Sequence, residues 1–191
     1  MESVQGSPEP RFEVPDGPTG RSPINVRDWL RDLALSLFIA GVVIVFLYQP
    51  VRVEGTSMLP RLADEQRIFV NKFIYRIDRI ERGDVVVFKL PGDPTRSYIK
   101  RVIGLPGESV EIRSGAVFVD GRPLSEDYIP EAYRDLASHS EVSVPDGEYF
   151  VLGDHRNTSK DSRTWGTVDA ASITGKAVFA YWPPERFGTV R

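Results

Sequence analysis

Residues 97–120 read SYIKRVIGLPGESVEIRSGAVFVD, which is three short apolar-rich runs separated by two turn sequences. The turns are Pro106-Gly107 and Ser114-Gly115, built from residue types that commonly end a strand. Short runs of β-branched and aromatic residues between such turns predict β-strands. Within this stretch, residues 111–119 predict a β-hairpin that turns at Ser114-Gly115.

The same alternation of short strands and turns extends in both directions over residues 51–191. No long run with a period of 3.6 residues occurs there, so the sequence predicts a mostly β domain of antiparallel sheet. Residues 121–146 are rich in charge, interrupt the alternation and predict a small insertion. The predicted strands are Gln66–Lys72, Asp84–Leu90, Ser97–Gly104, Ser109–Arg113, Ala116–Asp120, Glu148–Leu152 and Gly175–Trp182.

The N-terminal part of the chain has a different composition. Residues 1–26 are rich in proline and glycine and predict a disordered tail. Residues 33–48 carry no charge, and with their apolar neighbours they predict a single transmembrane helix over residues 27–50. Trp29 and Tyr48 would be its interfacial aromatic residues. A buried core helix and a cleavable secretory signal are the alternatives, and arginines on both sides leave the orientation open.

The composition excludes several functional classes. The 191 residues are 41% hydrophobic and 27% charged, which suits a folded domain with a buried core. The chain contains no cysteine, which excludes thiolate zinc sites, iron–sulfur clusters and cysteine nucleophiles. Its net charge of −3 argues against a nucleic-acid partner, and we expect none.

A candidate nucleophile lies in the polar segment EGTSMLP at residues 54–60, directly after the apolar run. Gly55 and Pro60 favour a turn that presents the Ser57 side chain. A serine hydroxyl becomes a nucleophile only when a base removes its proton. Without a base, Ser57 would be an ordinary turn residue.

Two kinds of base are available. The two histidines, His139 and His155, would allow a Ser–His–Asp arrangement. Lys100 is the other candidate, because alternation places it on a largely apolar face of its predicted strand. Burial there would lower the pKa of its amine and supply a neutral base near neutral pH. The competing interpretation is an edge-strand lysine whose ammonium reaches water.

A second polar segment, GDHRNTSKDSRTWG at residues 153–166, lies between two predicted strands. Its mixture of acids, bases and hydroxyls suits a solvated surface loop held by side-chain to backbone hydrogen bonds. The opposite charges of Asp161 and Arg163, the glycines at both ends and Trp165 indicate instead a loop with one fixed conformation.

Together these segments resemble the type I signal peptidases, which are membrane-anchored serine proteases with a Ser–Lys dyad. The resemblance is carried by SMLP at residues 57–60, RGDVVVF at 82–88, KRVIGLPG at 100–107 and the loop at 153–166. These motifs occur in the order typical of the family, behind one hydrophobic run, over about residues 50–182.

The resemblance implies a role for each residue of the dyad and for its immediate surroundings. Ser57 would be the acylated nucleophile, and Lys100 the base that deprotonates it and later activates the hydrolytic water. Ser159 would bind and orient the lysine amine. The Ser57 backbone N–H would bind the oxyanion, with Gly55 standing where some family members supply a side-chain hydroxyl.

Two ion pairs would support this site. Asp161 and Arg163 would hold the polar loop against it, and Asp154 would pair with Arg101. His155 stands where asparagine is most common in the family.

The resemblance implies a single-pass endopeptidase of the bacterial plasma membrane that removes signal peptides from exported precursors without metal or other cofactor. The N-terminus would be cytoplasmic, and the peptidase domain at 51–191 extracytoplasmic. The implied partners are precursor proteins, which would bind as an extended strand, the lipid bilayer and the secretion translocon. The alternatives are a relative of self-cleaving repressors and a catalytically silent, membrane-tethered β domain.

Overall fold

The structure, a computed structural model, describes residues 25–90 and 92–190. The predicted disordered tail therefore lies almost entirely outside the described residues. The chain divides into two units between Ala40 and Gly41. The first contains most of helix α1 (Val26–Leu47), and the second contains the end of α1 and every strand described.

After α1, the described chain forms twelve strands, a short second helix and four 3₁₀-helices. The strands are β1 (Tyr48–Arg52), β2 (Arg67–Asn71), β3 (Val85–Leu90), β4 (Asp93–Gly104), β5 (Ser109–Arg113), β6 (Ala116–Val119), β7 (Arg122–Pro123), β8 (His139–Ser143), β9 (Glu148–Leu152), β10 (Val168–Asp169), β11 (Ile173–Trp182) and β12 (Gly188–Thr189). Helix α2 is Ser162–Trp165, and the 3₁₀-helices are Ile74–Arg76, Glu131–Tyr133, Ala170–Ser172 and Pro184–Arg186.

All seven predicted strands are present, and β5 and β9 begin and end at the predicted residues. The predicted hairpin is β5–β6, in which Ile112 lies opposite Val117. Five strands were not predicted. The most informative of them is β8, which lies inside the predicted insertion and pairs with β5, so part of that segment belongs to a sheet.

The strands form two sheets, and every strand pair in them is antiparallel, as predicted. The larger sheet has the order β1-β2-β11-β3-β4-β9-β10, with β12 beside β11, and the smaller has the order β7-β6-β5-β8. Strand β4 therefore lies inside the larger sheet, between β3 and β9. This position closes off much of β4 from solvent.

Buried apolar side chains form the core on which the larger sheet packs. One group contains Met58 and Leu62, which follow β1. These two side chains pack with residues of β2, β3 and β11 such as Val70, Val85 and Ala177. Removing this apolar surface from water contributes roughly 25 cal/mol per Å². Met58 is only 1% exposed, so the core fixes the residue that follows Ser57.

The predicted transmembrane segment corresponds largely to α1. The helix ends at Leu47 rather than at residue 50, because Tyr48 begins β1 and pairs with Asn71 on β2. Apolar side chains of α1 such as Phe38 and Phe46 are exposed. Within residues 25–90 and 92–190, no helix combines the length and the apolar character needed to cross a membrane.

Candidate active site

Ser57 lies in a turn that is held from both sides. Gly55 has a φ of 89°, a left-handed conformation that favours glycine. The Gly55 N–H donates a hydrogen bond to Asp64 Oδ1 at 2.8 Å. On the other side, the Leu62 N–H donates to the carbonyl of Met58, also at 2.8 Å. These contacts and the buried Met58 side chain leave Ser57 half-buried at the surface of the core.

Lys100 on β4 brings its amine to the Ser57 hydroxyl. Nζ lies 2.7 Å from Ser57 Oγ, and its second contact is the carbonyl oxygen of Ile99 at 3.0 Å. Lys100 is 3% exposed and lies opposite Val86 of the inner strand β3. The prediction of a buried lysine is confirmed, and the edge-strand interpretation is wrong.

The surroundings of Lys100 shift its amine towards the neutral form. Burial lowers the pKa of Lys100 from 10.5 to about 8, because the low-dielectric interior disfavours the charged form. The carboxylates of Asp161 and Asp154 act in the opposite direction, and the guanidinium of Arg163 adds to the lowering. With a pKa near 8, roughly one Lys100 in ten is neutral at pH 7.

Arg101 and Asp154 form one of the two predicted ion pairs. Arg101 Nε donates to Asp154 Oδ1 at 2.8 Å, and Nη2 donates to Oδ2 at 2.6 Å. Arg101 Nη1 also donates to the carbonyl of Gly83 at 2.8 Å. Both side chains are almost completely buried. The pair joins β4, at the residue next to Lys100, to the loop at 153–166.

Asp161 and Arg163 form the other predicted pair. Arg163 Nε and Nη2 donate to the two carboxylate oxygens of Asp161 at 2.8 and 2.9 Å. Asp161 also accepts from the Gly153 N–H at 3.0 Å, and Arg163 pairs with Asp135 at 3.0 Å. These contacts tie the loop to itself and to the insertion, which supports the prediction of a fixed loop.

The predicted hydrogen bond from Ser159 to Lys100 is absent among the described contacts, and this expectation is wrong. The Ser159 hydroxyl donates instead to the carbonyl of Lys160 at 3.4 Å, and the amine is held by Ser57 and Ile99. Ser159 packs closely against Gly153: a methyl group at Gly153 would lie 2.1 Å from Ser159 Oγ.

The backbone N–H of Ser57 is a free donor. Among the described residues, the Ser57 N–H has no hydrogen-bond acceptor. The Gly55 N–H is already bonded to Asp64, so Gly55 offers no free donor of its own. Of the two predicted oxyanion positions, the structure leaves the Ser57 N–H available.

Neither histidine contacts the Ser57 hydroxyl in the described structure. His155 Nδ1 lies 3.0 Å from the carbonyl oxygen of Thr56, and His139 lies on β8 of the smaller sheet. The geometry therefore favours Lys100 over either imidazole as the base for Ser57.

The chain matches the family model described as "Signal peptidase, peptidase S26" over residues 26–182. This chain belongs to the signal peptidase family. It is 39% identical over 165 residues to "Probable signal peptidase I-1" of Synechocystis sp., with 82% of each chain covered. It is 35% identical over 176 residues to "Signal peptidase I P" of Bacillus subtilis subsp. natto, covering 87% of this chain and 94% of that one. The resemblance to type I signal peptidases is confirmed.

A solved structure of a signal peptidase I from Enterococcus faecalis V583 is 35% identical to this chain, with a TM-score of 0.46. The match covers 52% of this chain and 97% of that chain.

In this signal peptidase family member, a groove of about 520 Å³ opens beside Ser57 and Lys100. One wall is Val51 to Glu54, and the other is Thr95 to Lys100 on β4. Among the described residues, β4 pairs with β9 only from Arg101 onward, so residues 95–99 have no strand on that side. An extended peptide can add to such an edge through backbone hydrogen bonds.

The insertion supplies site-supporting residues that the sequence interpretation missed. Glu126 is buried and accepts hydrogen bonds from two nitrogens of Arg156 in the polar loop, one of them at 2.7 Å. The ring of Tyr128 lies 4.4 Å from the guanidinium carbon of Arg101. The sequence does show acidic residues in the insertion and arginines in the polar loop, which could have suggested ion pairs between the two segments. Nothing in the sequence specified which of these residues pair.

Proposed function

We propose that this chain is a membrane-bound serine endopeptidase that removes signal peptides from exported precursor proteins, with Ser57 as nucleophile and Lys100 as general base. The observation that carries the proposal is the 2.7 Å hydrogen bond between Lys100 Nζ and Ser57 Oγ. Family membership supports the substrate class. The lowered pKa of Lys100 supports its role, because a base must be neutral to accept a proton.

In the acylation step, neutral Lys100 takes the hydroxyl proton while Ser57 Oγ bonds to the scissile carbonyl carbon. The carbonyl oxygen becomes an oxyanion and accepts a hydrogen bond from the Ser57 N–H. When the tetrahedral intermediate collapses, the C–N bond breaks and the Lys100 ammonium gives its proton to the departing amine. The products of this step are the acyl-enzyme and the mature protein.

Deacylation uses the same groups with water in place of serine. Lys100, neutral again, removes a proton from a water molecule as the water oxygen attacks the ester carbon. Collapse breaks the bond to Ser57 Oγ, which recovers its proton from the Lys100 ammonium. The signal peptide leaves with a free carboxylate.

The substrate would bind as an extended segment in the groove between residues 51–54 and 95–99. The unpaired edge of β4 supports this mode, since its backbone groups are free to bond an added strand. Small side chains such as alanine would fit the shallow subsites beside Ser57.

We place α1 at the plasma membrane, with a cytoplasmic N-terminus and an extracytoplasmic domain at 51–191. The support is the uncharged run at 33–48 and the exposed apolar side chains of α1. The bilayer and the translocon that delivers the precursor would then be its neighbours. Carbonate extraction tests the attachment, and protease accessibility of the domain in intact and lysed cells tests the orientation.

The activity is tested with the full chain in detergent micelles and a precursor containing an Ala-x-Ala site. We expect one cut after the second alanine, and loss of cutting by at least about a thousandfold in Ser57→Ala and in Lys100→Met. Lys160→Met, an exposed lysine in the neighbouring loop, is the matched control and should retain wild-type activity. Full activity in both dyad variants, or an inactive wild type, would contradict the proposal.

A further inference from the structure

His155 holds the backbone on both sides of the nucleophile. Its ring Nδ1 lies 3.0 Å from the carbonyl oxygen of Thr56, which also accepts a hydrogen bond from the Leu59 N–H at 3.1 Å. Its own backbone N–H donates to the carbonyl of Ser57 at 3.1 Å. One residue of the polar loop therefore binds two consecutive carbonyl groups in the turn that carries the proposed nucleophile.

The Thr56 carbonyl and the Ser57 N–H belong to the same planar peptide group. Fixing the direction of the carbonyl therefore fixes the direction of the N–H on the opposite side of the group. A carbonyl oxygen only accepts hydrogen bonds, so His155 Nδ1 carries the hydrogen in this contact. A hydrogen bond to the carbonyl also polarises the peptide group, which strengthens its N–H as a donor.

The imidazole is itself held in place. The ring of Tyr133, from the insertion, meets it edge-on with centroids 4.7 Å apart. The carbonyl of His155 accepts hydrogen bonds from the N–H groups of Thr158 and Ser159 at 3.1 and 3.0 Å. The backbone of His155 is thus fixed, and Tyr133 packs against one edge of its ring.

We propose that His155 is a positioning residue that aims the Ser57 N–H at the oxyanion. The inference rests on the proposed function, because an oxyanion forms at Ser57 only in acyl transfer. It assigns the imidazole a task distinct from proton transfer. The ring acts through the Thr56–Ser57 peptide and never touches the reacting atoms.

Two substitutions separate the hydrogen bond from the packing of the ring. His155→Phe keeps a ring against Tyr133 but has no donor, whereas His155→Asn keeps a donor in a smaller side chain. With the full chain in detergent and a precursor peptide, we expect His155→Phe to lower kcat about tenfold or more, with KM within about twofold. This is less than the 10²–10³-fold loss typical of removing an oxyanion donor altogether. We expect His155→Asn to recover most of that loss.

The affinities of two matched ligands provide a second measurement. If His155 only stabilised the fold, its substitution would weaken the binding of both ligands equally. A peptide aldehyde forms a tetrahedral adduct with Ser57 and places its oxygen in the oxyanion site. The matched peptide with a reduced CH₂–NH bond occupies the groove without forming an oxyanion. We expect His155→Phe to weaken the binding of the aldehyde by the same factor by which it lowers kcat/KM. The affinity of the reduced peptide should be unchanged.

The outcomes distinguish this inference from the proposed function. Wild-type kcat in His155→Phe, or equal weakening of both ligands, would overturn the positioning role while leaving the protease intact. A wild-type chain that neither cuts the precursor nor binds the aldehyde would instead overturn the proposed function. Failure of His155→Asn to recover activity, with the reduced peptide still bound normally, would also count against the role.

Discussion

Arg101 and Asp154 meet through two charge-assisted hydrogen bonds of 2.8 and 2.6 Å, with both side chains almost closed to water. The pair connects the strand that carries Lys100 to the loop that contacts the Ser57 turn. Removing one partner of a buried pair leaves an uncompensated charge, which typically costs 3–5 kcal/mol.

Asp154→Asn should therefore destabilise the folded chain by about 3 kcal/mol or more, measured by urea unfolding in detergent. The matched control is Glu131→Gln, which removes a carboxylate from an exposed pair with Arg134 and should change stability by less than about 1 kcal/mol. Equal effects of the two substitutions would show that burial does not set the strength of the Arg101 pair.

The pH dependence of cleavage should report Lys100. Because burial lowers the pKa of its amine to about 8, kcat/KM should rise with pH to a plateau above that value and fall about tenfold per unit below it. A pH–rate profile of the wild type between pH 5 and 10 measures this limb. A profile that stays flat down to pH 5 would contradict a lysine base. A limb that disappears in His155→Asn would point to histidine instead.

Burying Lys100 should make the stability of the chain depend on pH. Its pKa is 10.5 as an unperturbed side chain and about 8 in the fold, so between these values the unfolded state binds more protons. Stability should rise with pH across this window, and the cost of burial should be fully present below pH 8.

Lys100→Met removes the free-energy cost of burying the charged amine. We expect it to stabilise the chain at pH 7 by up to about 3 kcal/mol and to abolish the rise between pH 8 and 10.5. Urea unfolding at pH 7 and pH 10 measures both effects. Lys160→Met, at an exposed position, should leave the pH dependence unchanged, and an identical slope in Lys100→Met would refute this assignment.

Gly153 should tolerate no side chain. A methyl group there would lie 2.1 Å from Ser159 Oγ and 2.5 Å from the carbonyl oxygen of Ser57, so the loop or the Ser57 turn must shift. We expect Gly153→Ala to lower kcat/KM at least tenfold in the precursor assay, because displacing the proposed nucleophile by about 1 Å is costly. Gly92→Ala, where a methyl group meets nothing within 4 Å, is the control. Unchanged activity in Gly153→Ala would show that the turn adapts.

Local patterns predicted much of the fold and several parts of the site. Strands β5 and β9 follow from alternating residues between turn sequences, and each such signal lies within a few neighbouring residues. The Asp161–Arg163 pair was predictable for the same reason, since the two residues are only two positions apart in the sequence. Family motifs identified Ser57 and Lys100 as the candidate dyad.

Sequence patterns alone determined seven of the strands and identified Ser57 and Lys100 as candidates for the chemistry, because backbone preference and residue type are encoded locally. Only the tertiary structure decided that Lys100 is buried beside Ser57, 43 positions away, and that Ser159 turns towards Lys160 instead. It also decided that Glu126 of the insertion pairs with Arg156. These contacts depend on strand order, register and the packing of distant loops, which no short stretch of sequence specifies.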